Sequence, residues 1–219
     1  MRPDFVAPPA RARVTGQNGY VTPTETRPVG LWLDTPDGLH WWFDPGSLAL
    51  DLAYTGDLGG GERIGSASDL AAWLEPRFAE ADGIVGDGDV RDAIALRDAI
   101  ARAATAVAAL GEPEPGDVDA INLYAAIPDI PPVLEGGSRR AGRSTARTSQ
   151  ALAVVARDAV RLLSPGEAGR DRIRVCDADD CAIVFADDSR SRSRRWCSMA
   201  RCGNRAKVRA YRSRARSAS

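Results

Sequence analysis

The sequence has little of what catalysis needs. Its 219 residues include a single histidine, His40, which falls in a predicted strand and is explained by packing or surface exposure. No Gly-x-Ser-x-Gly nucleophile elbow appears near it, and the glycine-rich stretches at 56–66 and 86–92 match neither a phosphate loop nor a calcium loop. We therefore expect turns at these stretches and no enzymatic activity.

Long apolar runs are also missing. The longest, such as 103–110, is well short of the ~18 residues that cross a bilayer, so we expect no membrane span. The amino terminus lacks a basic patch followed by an apolar run, so no secretory signal is predicted and the protein is expected in the cytoplasm. With 44% apolar and 27% charged residues, the composition is typical of a globular chain with a packed core.

The formal net charge of −1 hides a segregation of the two signs along the chain. Residues 1–138 hold 9 basic and 22 acidic side chains, a charge of −13, whereas 139–219 hold 20 and 8, a charge of +12. Between 189 and 219 there are 11 basic residues and no acidic one. This asymmetry predicts that the carboxyl-terminal segment meets a polyanion.

Apolar periodicity and turn residues divide the chain into three parts. Residues 1–27, rich in Pro, Arg, Thr and Gly, are predicted to form a flexible extension. Residues 28–165 are predicted to form a helical domain, and 166–219 a second, smaller unit. The predicted elements of the helical domain are a β-hairpin at 31–43, a helix start at Ser66 and Asp69, helices at about 90–110, 117–126 and 148–163, and a mobile loop at 136–147.

All four cysteines lie in the smaller unit, as two pairs. Four residues separate Cys176 from Cys181 and four separate Cys197 from Cys202, with fifteen residues between the pairs. Since thiols stay reduced in the cytosol, this spacing favours a metal over disulfides. Four thiolates close a tetrahedral zinc site without an open position, which is the structural type. We predict one structural Zn²⁺ ion on these cysteines.

The fifteen residues between the pairs predict a hairpin, with 182–186 as the outgoing strand, 187–193 as the bend and 194–196 as the return. Each cysteine pair would then lie at one end of it. Since so small a unit has little core, metal binding is expected to supply much of its folding free energy. The predicted fold class is mainly α: a helical amino-terminal domain with a small β-hairpin, then a zinc-bound β-hairpin and helix.

A basic helix is predicted after Cys202. Arginines recur there at steps of four, three and four from 205 to 216 and share one helical face. Val208, Tyr211 and Ala215 fall on another face, which we expect to lean on the zinc hairpin. The arginine stripe spans roughly 16 Å, enough for several phosphates. The predicted nucleic-acid contacts are Arg194, Arg195, Asn204, Arg205, Lys207, Arg209, Arg212 and Arg216; the alternative is a solvated charge run or a frayed basic tail.

The run from 174 to 214 resembles the CGNR-type zinc finger of bacterial proteins over about 40 residues. The resemblance implies DNA binding and makes the four cysteines zinc ligands. Ala186 departs from the bulky residue common in that family, which bears on packing and not on metal binding. The matching positions are Phe185, Asp187, Ser189, Arg195, Trp196, Cys197, Ser198, Met199, Cys202, Gly203, Asn204, Arg205 and Lys207.

The segments 43–58, 68–74 and 94–100 resemble the ABATE domain, which usually precedes such fingers in stress-induced transcription regulators. Tyr54 stands where many relatives carry Asn in a D-x-x-N-T pattern. Within this domain Asp51, Arg97 and Asn122 interrupt apolar helical stretches. Because an isolated buried charge is costly, we expect Asp51 and Arg97 to pair in the core. The functional alternative is a small-ligand pocket with Asp51, Thr55, Arg97 and Asn122 as its polar contacts.

Together these observations predict a bacterial transcription regulator of the stress response that binds duplex DNA through its basic helix, under control of a ligand or partner of the acidic domain. The resemblance to the CGNR finger carries the DNA assignment. Two alternatives stay open. The same cations would serve an RNA-binding or ribosome-associated zinc module, and the acidic domain would serve a protein-interaction adaptor.

Overall fold

The computed structural model describes residues 30–34, 38, 40–78, 84–128, 130, 146–166 and 169–217, the last with side chains to residue 215. The extension predicted at 1–27 and residues 136–145 of the loop predicted at 136–147 lie outside these residues. None of the described helices is both long and apolar enough to cross a membrane. The elements are β1 Leu31–Asp34, β2 His40–Phe43, α1 Leu48–Ala53, α2 Ala67–Leu74, α3 Asp87–Ala108, α4 Pro115–Ala125, α5 Thr148–Leu163, β3 Ile173–Val175, β4 Val184–Ala186 and α6 Asn204–Ser217.

The predicted amino-terminal hairpin is confirmed. Strands β1 and β2 pair antiparallel, with Leu33 opposite Trp41 and Leu31 opposite Phe43. Because side chains alternate across a sheet, these residues share the inner face, where Leu33, Trp41 and Phe43 are buried. The hairpin therefore presents an aromatic, apolar face to the rest of the molecule.

The helical core forms around α3. Its apolar residues recur at three- and four-residue steps and are buried against α1, α4 and α5. Asp87 and Asp89 lie in the first turn, where negative charge is favourable, and the Asp89 carboxylate accepts a hydrogen bond from the Gly86 N–H at 2.9 Å. Helix α5 buries a matching stripe that includes Leu152, Val155 and Ala159. The mainly α fold class is thus confirmed.

The pairing predicted in the cysteine-rich unit is wrong in one respect. Strand β4 pairs with β3, which precedes the first cysteine, and not with a return strand at 194–196. The ladder continues beyond both strands, because the Cys176 N–H donates to Ile183 O at 2.9 Å and the Asp187 N–H donates to Arg172 O at 2.7 Å. The first cysteine pair therefore lies at the tip of the hairpin, and the second pair follows outside it.

A carboxylate, and not a strand partner, holds the segment after β4. The Asp187 carboxylate accepts hydrogen bonds from the N–H of Ser189 at 3.0 Å, the Ser189 hydroxyl at 2.5 Å and the N–H of Arg194 at 2.9 Å. Burial raises the pKa of Asp187, but these hydrogen bonds outweigh that effect and lower it. Side-chain-to-backbone hydrogen bonds close this loop, and for that reason the prediction of a return strand at 194–196 is wrong.

The cysteine-rich unit shares its core with the amino-terminal hairpin. One buried cluster joins Leu33, Trp41 and Phe43 to Phe185 and three of the cysteines. Strand β4 also touches the loop before α1: the Ala186 N–H donates to Pro45 O at 2.8 Å, and a Cβ on Gly46 would lie 2.0 Å from Ala186 O. The close approach requires glycine at 46, where φ is +76°. The small side chain of Ala186 is fully buried at this contact.

Tyr54 fills the remaining place on the outer edge of β4. Val184 faces Val175 in the ladder, but alternation of the antiparallel pattern directs its N–H and C=O away from β3. The Tyr54 hydroxyl donates to Val184 O and accepts from Val184 N, both at 2.9 Å. Burial raises the pKa of Tyr54, so the hydroxyl stays protonated and able to donate.

Candidate metal centre and nucleic-acid interface

Two short turns bring the four cysteines together. Cys176 ends the β3 side of the hairpin, and the Cys181 N–H closes a turn on Ala178 O at 2.9 Å. Cys197 precedes a single wide turn, Met199–Gly203, that contains Cys202 and whose Gly203 N–H donates to Ser198 O at 3.0 Å. All four Sγ atoms lie within 4.8 Å of one another, and three of the four cysteines are buried.

The spacing of the sulfur atoms fits one zinc ion. Zn–S bonds of about 2.3 Å in a tetrahedron place neighbouring sulfurs roughly 3.8 Å apart. The Sγ of Cys197 lies 3.8 Å from that of Cys181 and 3.5 Å from that of Cys202. Four sulfurs complete the tetrahedron, so the site is structural and has no position for a substrate.

Three of the four thiols have pKa values shifted by burial and by their neighbours. A hydrogen bond from Cys197 lowers the pKa of Cys181 to about 5. The same hydrogen bond, together with burial, raises the pKa of Cys197, and burial raises that of Cys176. The Cys181 thiolate is therefore favoured while Cys176 and Cys197 stay protonated, and a divalent cation would supply the positive charge that allows a four-thiolate site to form.

Two family models match the chain. One, CGNR zinc finger, covers residues 172–215. The other, ABATE, described as "Putative stress-induced transcription regulator", covers residues 46–166, more than half of the chain. The chain belongs to the ABATE family. The CGNR finger follows the ABATE domain in the order that the sequence predicts, and no curated protein matches the chain.

The finger couples its zinc ligands to the first turn of α6 through Arg205. The Arg205 guanidinium donates to Cys202 Sγ at 3.3 Å and to Asp180 Oδ2 at 2.9 Å. The hydrogen bond to Cys202 raises the pKa of Arg205 further. A cation beside a thiolate ligand offsets part of the negative charge of a four-thiolate site and fixes the ligand's orientation.

Several other cations predicted to bind nucleic acid are also engaged within the finger. Arg209 pairs with Asp179 at 2.9 Å and with Asp180 at 3.2 Å. Arg195 pairs with Asp177 at 2.7 Å and lies over the Trp196 ring. Residues Asp177, Asp179 and Asp180, called here the acidic knuckle, lie between the first two cysteines. This run of carboxylates was visible in the sequence, but its pairing with the basic helix was not predicted.

Arg194 ties the finger to the ABATE side of the molecule. Its guanidinium lies over the Phe185 ring, 4.3 Å from the centroid, and donates to the backbone carbonyls of Asp44, at 2.9 Å, and Trp196, at 3.1 Å. Arg201 makes a similar contact across the same boundary, with its guanidinium 4.9 Å from the Trp41 ring. Both arginines therefore stabilise the shared core.

The remaining predicted contacts lie on the part of α6 that leaves the finger. Asn204 is exposed and donates to Ala200 O at 3.4 Å, and Lys207 and Arg212 are exposed. The side chain of Arg216 lies outside the described residues. The expectation that the apolar stripe of α6 leans on the finger is wrong, because Val208 is 48% and Tyr211 69% exposed. The arginine face turns inward instead, where the acidic knuckle offers stronger partners than a short apolar stripe.

The polar residues of the ABATE domain pair differently from the prediction. Asp51 is buried but pairs with Arg77 at 2.6 Å, not with Arg97. Burial raises the pKa of Asp51, and the Arg77 guanidinium opposes the shift. Arg77 also donates to Trp73 O at 2.7 Å and lies over the Trp73 ring. The apolar periodicity of the sequence does not indicate these contacts. It occurs beyond the end of α2, outside the helical pattern.

Arg97 reaches a different set of carboxylates. Its guanidinium donates to Glu62 at 2.7 Å and to Asp98 at 2.8 Å, and it covers Gly56. Thr55 is buried and donates to Leu52 O at 2.6 Å. Asn122, in contrast, is exposed on α4 and is not drawn into the core. The expected pairing of Asp51 with Arg97 is thus wrong, and a ligand pocket at these residues stays a prediction.

Proposed function

We propose that this protein is a bacterial transcription regulator that binds duplex DNA through α6, with the four-cysteine zinc site as the structural base of that helix. One observation carries the proposal. Cys202, a zinc ligand by its place in the cluster, is followed within two residues by α6, so the metal site sets the direction of a helix that has cations and no carboxylates. A rigidly held cationic helix is suited to the phosphate backbone, which supplies most non-specific affinity for DNA.

The charge distribution supports a nucleic-acid partner. The segment from 189 to 219 holds 11 basic residues and no acidic one, whereas residues 1–138 carry a charge of −13. The acidic ABATE domain would be repelled by a polyanion, so α6 is the part of the chain that approaches it. The ABATE description as a regulator of transcription, rather than of translation, favours DNA over RNA as the partner.

Fluorescence anisotropy tests the proposal. The zinc-loaded full chain is titrated against a labelled random-sequence DNA duplex and against a labelled RNA hairpin over a range of KCl concentrations. We expect tighter binding to the duplex, weakened steeply by salt, and loss of that binding after zinc is removed by a chelator. Tighter binding to the hairpin would instead support the RNA-binding module, and no binding to either would contradict both functions.

The adaptor alternative has its own readout. If the ABATE domain acts by holding a protein, a partner from the host lysate should remain bound after nuclease treatment. Under the proposed function, co-purified protein is lost with the nucleic acid. Genomic mapping of sites bound in the native host then identifies the target sequence.

A further inference from the structure

The two long faces of α6 are electrostatically different. Arg205 and Arg209 face the acidic knuckle, where three ion pairs join them to Asp179 and Asp180 at 2.9–3.2 Å. A phosphate that bound these arginines would have to displace their carboxylate partners. It would also lie beside those carboxylates, and like charges at such distances repel. The beginning of this face, at Arg205 and Arg209, is therefore neutralised by the finger itself.

The opposite face carries a second polar stripe. At about 100° per residue, Lys207 lies roughly 200° around the helix from Arg205, and Tyr211 and Arg214 follow Lys207 at steps of four and three. All three residues are exposed. Within the described part of the chain, neither Lys207 nor Arg214 pairs with a carboxylate. This stripe, called here the Lys-Tyr-Arg face, keeps its positive charge.

We infer that duplex DNA contacts the Lys-Tyr-Arg face of α6, and that Arg205 and Arg209 are positioning residues that hold the helix on the zinc finger. The inference rests on the proposed function and narrows it to one surface. Charge complementarity selects the occupant, because α6 has no acidic residue and its only carboxylate neighbours among the described residues lie on the knuckle side. Lys207 and Arg214 are separated by roughly 10 Å along the axis, which suits two different phosphates.

Tyr211 adds a contact that a cation alone does not make. It is 69% exposed, and nothing in the described residues buries its ring. A phenol offers a hydroxyl to a phosphate oxygen and an apolar ring to the sugar. An exposed tyrosine between two cations on one helical face is therefore suited to a sugar-phosphate backbone.

Paired alanine substitutions separate the two faces. The variants are Lys207→Ala with Arg214→Ala on the Lys-Tyr-Arg face, and Arg205→Ala with Arg209→Ala on the knuckle face. The matched control, Arg63→Ala with Arg91→Ala, removes two exposed cations from the ABATE domain. Each zinc-loaded full-length variant is titrated with the labelled duplex at several KCl concentrations.

We expect the Lys207/Arg214 variant to lower the magnitude of the log-log salt slope by about two, since each phosphate that is no longer neutralised accounts for roughly 0.9. The Arg205/Arg209 variant should keep the wild-type slope but release zinc faster to a chelator, because Arg205 touches the ligand Cys202. The control should change neither property. A slope that falls in the Arg205/Arg209 variant, or stays unchanged in the Lys207/Arg214 variant, overturns the inference.

A second measurement needs no variant. Lys207 is the only lysine in the sequence, so amine acylation reports on one side chain apart from the terminal amine. We expect the duplex to protect Lys207 of the wild-type protein from an acylating ester, as measured by mass spectrometry of the peptides. Equal acylation with and without bound duplex would overturn the inference while the proposed function stands. Protection by the RNA hairpin alone, or no binding of wild type to the duplex, overturns both.

Discussion

Replacing Tyr54 with Phe tests how tightly the ABATE domain and the finger are joined. The substitution keeps the aromatic ring, which lies 4.8 Å from that of Phe43 in an edge-on arrangement. It removes only the hydroxyl that bonds to both backbone groups of Val184. Because Tyr54 is 1% exposed, water does not replace the hydroxyl at this edge of β4.

The expected destabilisation follows from the two backbone groups left unpaired. A buried donor or acceptor without a partner costs about 1–3 kcal/mol, and Tyr54→Phe leaves one of each. The free energy of unfolding should therefore fall by about 2–6 kcal/mol, a large part of the stability of an ordinary domain. The finger should separate from the ABATE domain before the helices α3 to α5 unfold.

Urea denaturation at a fixed concentration of free zinc measures this change, with circular dichroism for the helices and tryptophan fluorescence for the shared core. Tyr124→Phe is the matched control. The Tyr124 hydroxyl donates to Asp92 at 3.1 Å at an exposed site, so its removal should cost under about 1 kcal/mol. If Tyr54→Phe were no more destabilising than Tyr124→Phe, the hydroxyl would not join the two parts of the molecule.

Three further substitutions test other contacts. Cys197→Ser should abolish stoichiometric zinc binding and speed amide hydrogen exchange in the finger. Exchange should also become faster in β1 and β2, because Cys197 shares a buried cluster with Trp41 and Phe43. Faster exchange in the finger alone would contradict the shared core. Asp51→Ala leaves Arg77 buried without its carboxylate and should lower stability by about 3–5 kcal/mol, whereas Arg195→Ala, at the exposed ion pair with Asp177, should cost under about 1 kcal/mol when both are measured by thermal unfolding. Burial raises the pKa of Glu62, but the hydrogen bond from Arg97 outweighs this effect and lowers the pKa below its ordinary value of 4.5. The ionised carboxylate therefore stabilises the fold at pH values above that ordinary value. The stability advantage of wild type over Glu62→Gln should therefore be full at neutral pH and vanish as pH falls through the lowered pKa, and an advantage independent of pH would count against the ion pair.

The elements predicted best from the sequence are those with long local patterns. Helix α5 begins and ends at the residues predicted from its apolar stripe, and the four cysteines meet as their spacing indicates. These features depend on residues near one another in the chain, so a window of sequence contains most of the cause.

The errors share a physical origin in contacts between distant segments. The sequence predicted a return strand at 194–196 as the partner of β4. This was wrong because the Asp187 carboxylate closes the following segment into a loop, and a side-chain hydrogen bond leaves no alternating pattern in the sequence. Arg77 pairs with Asp51, which lies 26 positions away in the sequence. The rule that a buried carboxylate needs a cation does not say which of several arginines is the partner, so Arg97 was predicted in place of Arg77. The predicted orientation of α6 is wrong for the same reason, because the knuckle carboxylates that attract its arginines lie outside the helix and its amphipathic pattern.

The hydrogen bond between Tyr54 and Val184 joins positions 130 residues apart, and this separation constrains synthesis on the ribosome. The hairpin β1–β2 emerges before helices α1 to α5, but the surface that covers Leu33, Trp41 and Phe43 is translated only after those helices. Until the carboxyl-terminal segment leaves the exit tunnel and acquires its metal, the nascent chain displays an aromatic patch to chaperones and proteases. Cells short of zinc should accordingly degrade newly made chains faster than mature ones.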